Sequence, residues 1–306
     1  MSLIEKAAKR LEELKRAGID VPAAGRRPSD GARVSAAEET SWVAEPLVPI
    51  AAADALFHAD APARRSREVT IDLQRLAQVG YVTPDAPRSQ LADEFRVIKR
   101  PLLDNARGRV AAPIRRANLI MVTSSMPGEG KTFSAINLAM SIAMEVDSRV
   151  LLIDADVARP AVLDRLGLAG SPGLLDLLTH PDLEMSDVLL KTNVDRLSVL
   201  PAGTAHARAT ELLASDGMSK LLDEIATRYP DRIVIFDAPP LLLSTESRAL
   251  ASQVGQVIMV VEADRTTQNT VSNALAMVES CPVVLMLLNK VDAAQASYGS
   301  YAPYGT

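Results

Sequence analysis

Three features predict an α/β fold. Short apolar runs alternate with helical stretches, a glycine-punctuated loop joins one run to the next helix, and carboxylates end two further runs. The apolar runs fall at 119–123, 150–153, 197–200, 233–236, 257–261 and 283–288, with helical patterning over 131–145, 217–229 and 267–279 between them. Runs this short and this continuously apolar are buried on both faces. That calls for a mostly parallel sheet with helices on both sides. On such sheets ligands bind beyond the carboxyl ends of the strands, so the chemistry is sought there.

Composition narrows the class. Of 306 residues, 48% are hydrophobic and only 3% aromatic, so the core is aliphatic. A formal net charge of −5 argues against a nucleic-acid partner. Cys281 is the one cysteine, so no internal disulfide forms, which fits a reducing compartment. No apolar run nears the ~20 residues of a membrane-spanning helix. The amphipathic start has no separate apolar core and does not read as a secretory signal. The expected location is cytoplasmic.

Four segments are expected along the chain. Residues 1–19 read as an amphipathic helix with Leu3, Ala7, Leu11 and Leu14 on one face. Residues 20–68 are rich in Ala, Pro and Arg, without a sustained period, and read as a disordered linker. An ordered domain spans 69–292, opened by alternating Val69, Ile71 and Leu73. Within it 89–106 looks helical, with Ser89 as its cap and Pro101 expected to end or kink it. Residues 88–116 carry eight Arg or Lys against three acids, a solvated basic face or an oligomer contact. Residues 293–306 form a tyrosine-rich tail.

The loop after the first apolar run carries the clearest signal. It runs Ser125, Met126, Pro127, Gly128, Glu129, Gly130, Lys131, Thr132 and Phe133. Gly130, Lys131 and Thr132 match the end of a phosphate-binding P-loop, G-x-x-x-x-G-K-[ST], with Ser125 in place of the first glycine. Gly128 and Gly130 permit the tight path that points successive N–H groups at phosphate oxygens, aided by the helix N-terminus. Lys131 can reach the β- and γ-phosphates of ATP, and the Thr132 hydroxyl can ligate Mg²⁺. Acids to support a metal follow two strands: Asp154 and Asp156 end one, with Arg159 just beyond, and Asp237 ends the other. Such carboxylates are expensive to bury unpaired, and a cation relieves that.

The runs Ser-Met-Pro-Gly-Glu-Gly-Lys-Thr, Leu-Leu-Ile-Asp-Ala-Asp-Val-Ala-Arg-Pro and Ile-Phe-Asp-Ala-Pro-Pro resemble the Walker A, A′ and B motifs of bacterial protein-tyrosine kinases. The opening Met-Ser-Leu-Ile-Glu-Lys-Ala and the stretch Glu-Phe-Arg-Val-Ile-Lys-Arg-Pro-Leu-Leu resemble the free-standing autokinases of exopolysaccharide loci. The resemblance implies a P-loop fold related to the partitioning and septum-site ATPases. In it Asp154 helps hold Mg²⁺ and activates the attacking phenol, while Asp156 and Asp237 complete metal and water coordination. Arg159 belongs to the same motif. Asp93, Arg96 and Lys99 stand where the family carries its oligomerisation motif, Glu-x-x-Arg-x-x-Arg. Lys lacks the planar fork of Arg there. Implied partners are further copies of the chain in a ring or dimer, a membrane-embedded polysaccharide copolymerase as activator, and a protein-tyrosine phosphatase. Such an activator would recruit the protein to the inner membrane face.

Tyr298, Tyr301 and Tyr304 lie in the last nine residues, three of the chain's five tyrosines. Gly299, Pro303 and Gly305 among them disfavour helix and strand, so this tail is expected to reach a γ-phosphate in line. Three rivals are weighed, one of them a catalytically silent scaffold for polysaccharide export, against which the intact Lys131, Thr132 and three acids argue. A partitioning-type ATPase would switch dimerisation without labelling protein, although Met126 replaces the second P-loop lysine usual there. A GTPase is suggested by Asn289-Lys290-Val291-Asp292, which spells the guanine-reading pattern after a strand, yet Asp237 opens Asp-Ala-Pro-Pro rather than Asp-x-x-Gly. Asn289 is read as an adenine contact, and Asp292 stays unassigned.

Overall fold

Eight strands form one sheet among the described residues, which in this computed structural model are 66–85, 89–228 and 232–292. The segment expected as an N-terminal helix, nearly all of the linker, and the tail with Tyr298, Tyr301 and Tyr304 lie outside them. In chain order the elements are β1 (Arg67–Val69), α1 (Leu73–Gln78), α2 (Gln90–Ala106), β2 (Leu119–Ser124), α3 (Lys131–Ala143), β3 (Arg149–Asp154), α4 (Val162–Leu166), α5 (Leu174–Thr179) and α6 (Met185–Val188). There follow β4 (Leu190–Thr192), β5 (Leu197–Leu200), α7 (Ala209–Leu213), α8 (Asp216–Arg228), β6 (Arg232–Asp237), α9 (Thr245–Ala251), β7 (Gln256–Glu262), α10 (Gln268–Ala276) and β8 (Val283–Asn289).

The strand order is β1-β4-β5-β3-β6-β2-β7-β8. Every pairing is parallel except β4 with β5. All six apolar runs of the sequence became strands, and alternation within them builds the core on two faces. Ile120, Val122, Leu152, Ile235, Ile258 and Val260 pack on one side, against α3. Met121, Leu151, Ile153, Val234, Phe236 and Met259 pack on the other. Each buried aliphatic side chain contributes about 1.5–3 kcal/mol by leaving water.

Two departures have plain causes. The alternation at Val69, Ile71 and Leu73 is not one strand: β1 starts at Arg67, stops at Val69, and Asp72 caps α1 through its Oδ1, which accepts from the Arg75 N–H at 2.9 Å. Pro101 does not end α2, which runs on to Ala106. Proline removes the N–H that would serve the Val97 carbonyl. Val97 is 73% exposed, so water can serve it, while Leu102 and Leu103 anchor the other face in the core.

The order matters for function because β6 lies between β3 and β2. In register, Asp154 at the end of β3 faces Asp237 at the end of β6, and Val122 of β2 faces Asp237 on its other side. The carboxyl ends of three adjacent strands thus bring the β2–α3 loop and two acids to one place.

Candidate nucleotide-binding site

The loop from Ser125 to Gly130 turns twice through the left-handed region, at Gly128 (φ +90°) and Gly130 (φ +102°). L-side chains rarely adopt these angles. Gly130 also has no room for one: a Cβ there would stand 2.0 Å from Asn289 Nδ2. Buried Glu129 braces the turn from within. Its Oε2 accepts from the Met126 N–H at 2.7 Å, and its Oε1 accepts from the Thr266 hydroxyl. Ser124 Oγ donates to the Met126 carbonyl at 2.8 Å. Lys131 and Thr132 then open α3, with their side chains at the helix N-terminus.

The chemistry-bearing side chains converge there. Thr132 Oγ1 donates to Asp237 Oδ2 at 2.6 Å. Lys131 Nζ lies 2.7 Å from Asp156 Oδ2 and 3.5 Å from Asp237 Oδ1. Burial alone would lower the Lys131 pKa, but Asp237 and Asp156 outweigh it and hold the ammonium above its ordinary value. Asp154 Oδ2 accepts from the N–H groups of Ala161 and Val162, both at 3.0 Å. Its Oδ1 has no hydrogen-bond partner, and neither has Asp237 Oδ1, whose 3.5 Å approach to Lys131 is too long to satisfy it. Burial, then the neighbouring Asp237, raises Asp154 to about 7. Burial raises Asp237 to about 6 against the opposing pull of Lys131.

These two orphaned oxygens are the observation against which a divalent cation is judged. Mg²⁺ is held by one or two carboxylates plus waters and phosphate oxygens rather than by an all-protein cage. Thr132 and Asp237 suit that role. The resemblance sets Asp154 and Asp156 beside Asp237 in metal and water coordination. No group of three or more His, Cys, Asp or Glu forms a metal site among the described residues. The reason is that Asp154 spends one oxygen on backbone N–H groups, while Asp156 pairs with Lys131 and also takes the Arg159 N–H at 3.2 Å.

A cavity of about 780 Å³ opens over this cluster. Of the residues expected to contact nucleotide, Pro127, Gly128, Gly130, Lys131, Thr132 and Phe133 line it, with Asp156 and Arg159. Ser125, Met126, Glu129 and Asn289 do not. Ser125 is buried, Met126 is 40% exposed, and Glu129 is the brace just described. Asn289, the expected adenine contact, donates from Nδ2 to the Glu129 carbonyl at 2.9 Å. Lys290 Nζ likewise donates to the Gly128 carbonyl at 2.8 Å and pairs with Glu262 at 3.2 Å. The Asn-Lys pair therefore buttresses the phosphate loop from behind.

Lys99 is a correction. It does not share a surface with Asp93 and Arg96, which form an exposed ion pair on α2. Lys99 is 3% exposed, and its Nζ donates to the Ser141 carbonyl at 2.6 Å and pairs with Glu145 at 2.7 Å. It ties α2 to the end of α3.

Sequence reasoning missed one wall of the cavity: Arg75 and Tyr81, Arg165 from α4, and Glu246 from α9. Tyr81 packs on Phe133 with ring centroids 5.0 Å apart. Its phenol is raised by burial, while Arg165 and Arg75 pull it down. Tyr81 was findable as one of five tyrosines. Arg75 carried no signal, since exposed arginines on short helices are common.

A glycine-bent loop between a buried strand and a helix, closing on Lys-Thr beside strand-end aspartates, defines a P-loop nucleotide-binding domain. Comparison with known proteins makes the class specific. Residues 117–285 match a family described as AAA domain. The chain is 29% identical to tyrosine-protein kinase YwqD of Bacillus subtilis, over 75% of this chain and 92% of that one. It is 30% identical to tyrosine-protein kinase CpsD of Streptococcus agalactiae, over 61% of this chain and 81% of that one. The crystal structure of the VpsO kinase domain superimposes with a TM-score of 0.51 at 31% identity, covering 65% of this chain and 98% of that one. Other relatives are longer, and the chain spans 25% of their length. The chain belongs to the family of bacterial tyrosine-protein kinases.

Proposed function

We propose that this protein is an ATP-dependent tyrosine autokinase that transfers the γ-phosphoryl group to Tyr298, Tyr301 and Tyr304 of its own tail, between copies of the chain. The observation that carries this is the Thr132–Asp237 hydrogen bond at 2.6 Å, beside Lys131 and two buried carboxylate oxygens that accept no hydrogen bond. Bound Mg²⁺ would neutralise charge on the β- and γ-phosphates, held by Thr132 and Asp237. Lys131 leaves Asp156 for the phosphate oxygens and keeps its positive charge throughout, as its raised pKa allows. The N–H groups at the start of α3 face the same oxygens. The phenolic oxygen forms the new bond to phosphorus as the β–γ bridge breaks and ADP leaves. Asp154 takes the phenolic proton. A carboxylate at about 7 is suited to accept one near neutral pH.

Several finer parts belong to the same reading. Copies of the chain assemble as a ring or dimer, with Asp93 and Arg96 at the contact. Phosphorylation adds roughly −1.5 to −2 charges per tyrosine, so repulsion loosens that assembly. No described helix is long and apolar enough to cross a membrane. A membrane-embedded polysaccharide copolymerase would recruit and activate the kinase, and a tyrosine phosphatase would reset it. The process served is control of polysaccharide chain length and export.

The test is incubation with labelled ATP or GTP and Mg²⁺, followed by mapping of the modified residues. Label from ATP on the tail tyrosines, lost in Lys131→Met, supports the kinase. Free phosphate without protein label points instead to an ATPase switch, and preference for GTP to a GTPase.

A further inference from the structure

Arg75 and Arg165 line the cavity, and among the described residues no carboxylate pairs with either guanidinium. Neither belongs to the P-loop or to the strand-end acidic motifs. The segment that bears Arg75 is nonetheless fixed. Arg75 lies against Gly167, where an added Cβ would stand 2.2 Å from its Nη1. The segment that bears it is clasped at both ends. The Asn193 amide bonds the N–H and carbonyl of Ile71 at 2.8 and 3.1 Å, and Asn137 Oδ1 accepts from the Val82 N–H at 2.7 Å. Tyr81, which feels both arginines, packs at a tilt of 46° on Phe133 directly after Thr132. Two cations thus line the same cavity as Lys131 and Thr132, with the Tyr81–Phe133 ring pair beside them.

In the proposed function the triphosphate is met by Lys131 and the loop N–H groups. Residues 293–306 contain no Asp, Glu, Lys, Arg or His, so no side chain of the unmodified tail carries a charge for these two cations. One transfer changes that, since a phosphotyrosine brings roughly −1.5 to −2 charges and three acceptor oxygens. Guanidinium groups are the side chains that bind such a group by paired, charge-assisted hydrogen bonds. Resting on the autokinase reading, we propose that Arg75 and Arg165 form a phosphotyrosine subsite that retains a tail already phosphorylated once. The tail tyrosines recur every third residue, a separation of ~10 Å in extended chain. On this proposal a phosphotyrosine held by the arginines keeps the next phenol within the cavity that Lys131 also lines, and the tail is modified in succession.

Two synthetic peptides of residues 293–306, one unmodified and one phosphorylated at Tyr301, test this by fluorescence anisotropy with the full chain. The phosphorylated peptide is expected to bind roughly tenfold tighter or better, as two charge-assisted pairs imply. The preference is expected to vanish in Arg75→Ala/Arg165→Ala while affinity for a nonhydrolysable ATP analogue stays in place. Both arginines are exposed, so the variant retains its core. Equal binding of the two peptides overturns the proposal. So does loss of analogue affinity in the variant, which would assign the arginines to the triphosphate. Binding needs no turnover, so a wild-type chain that labels no tyrosine sinks the autokinase reading separately.

Discussion

Replacing Asp154 with Asn removes a buried charge while keeping an acceptor for the Ala161 and Val162 N–H groups. Asp154 is 1% exposed, and its pKa is raised from 3.8 to about 7 in the folded chain. A carboxyl with a raised folded pKa prefers its neutral form in the native state. It therefore draws stability from the fold as pH climbs from the unfolded value to the folded one. Over about three pH units this amounts to roughly 4 kcal/mol, of which about 2.5 kcal/mol falls between pH 5 and pH 8. Asp237, raised to about 6 mainly by burial, contributes its own slope to both proteins. Urea unfolding of the ligand-free protein at the two pH values measures the difference. The Asn variant should gain stability relative to wild type at pH 8, by about 2–3 kcal/mol more than at pH 5. Identical pH dependence in the two proteins would refute the claim that an uncompensated carboxylate sits under the phosphate loop.

Gly130→Ala must place a Cβ 2.0 Å from Asn289 Nδ2 at a φ of +102°, so fluorescent ATP-analogue binding should fall more than about tenfold. Asn289→Ala loses the bond to the Glu129 carbonyl; about 1 kcal/mol predicts roughly fivefold weaker nucleotide binding with the ATP-over-GTP preference unmoved. A shifted base preference would return Asn289 to the base. Lys99→Ala strands the Ser141 carbonyl and Glu145 and should lower chemical stability by about 1–3 kcal/mol, while the association state by sedimentation stays that of wild type.

The six long strands were legible because buried parallel strands are written as continuous apolar runs, and the phosphate loop because its glycines and Lys-Thr are required by backbone and charge. Three-residue β1 and β4 were not, since Arg67-Glu68-Val69 and Leu190-Lys191-Thr192 are too short for a period. Of the two outcomes expected at Pro101, an end or a kink, the end does not occur, because Leu102 and Leu103 pack into the core and carry the helix on to Ala106. Lys99 and Asn289 were assigned by motif position, yet partners distant in sequence, Glu145 and Glu129, set what each does. Arg75 reaches the cavity through clasps at Asn137 and Asn193, contacts that no linear pattern encodes.

The central claim is that a triphosphate lies along Gly128 to Thr132 with its cation between Thr132 and Asp237. A crystal structure with a nonhydrolysable ATP analogue and Mg²⁺ addresses it most directly. The expected density shows Lys131 swung from Asp156 onto the γ-phosphate and the metal bridging the Thr132 hydroxyl to a phosphate oxygen. Phosphates bound elsewhere, with the Lys131–Asp156 pair intact at 2.7 Å, would contradict it.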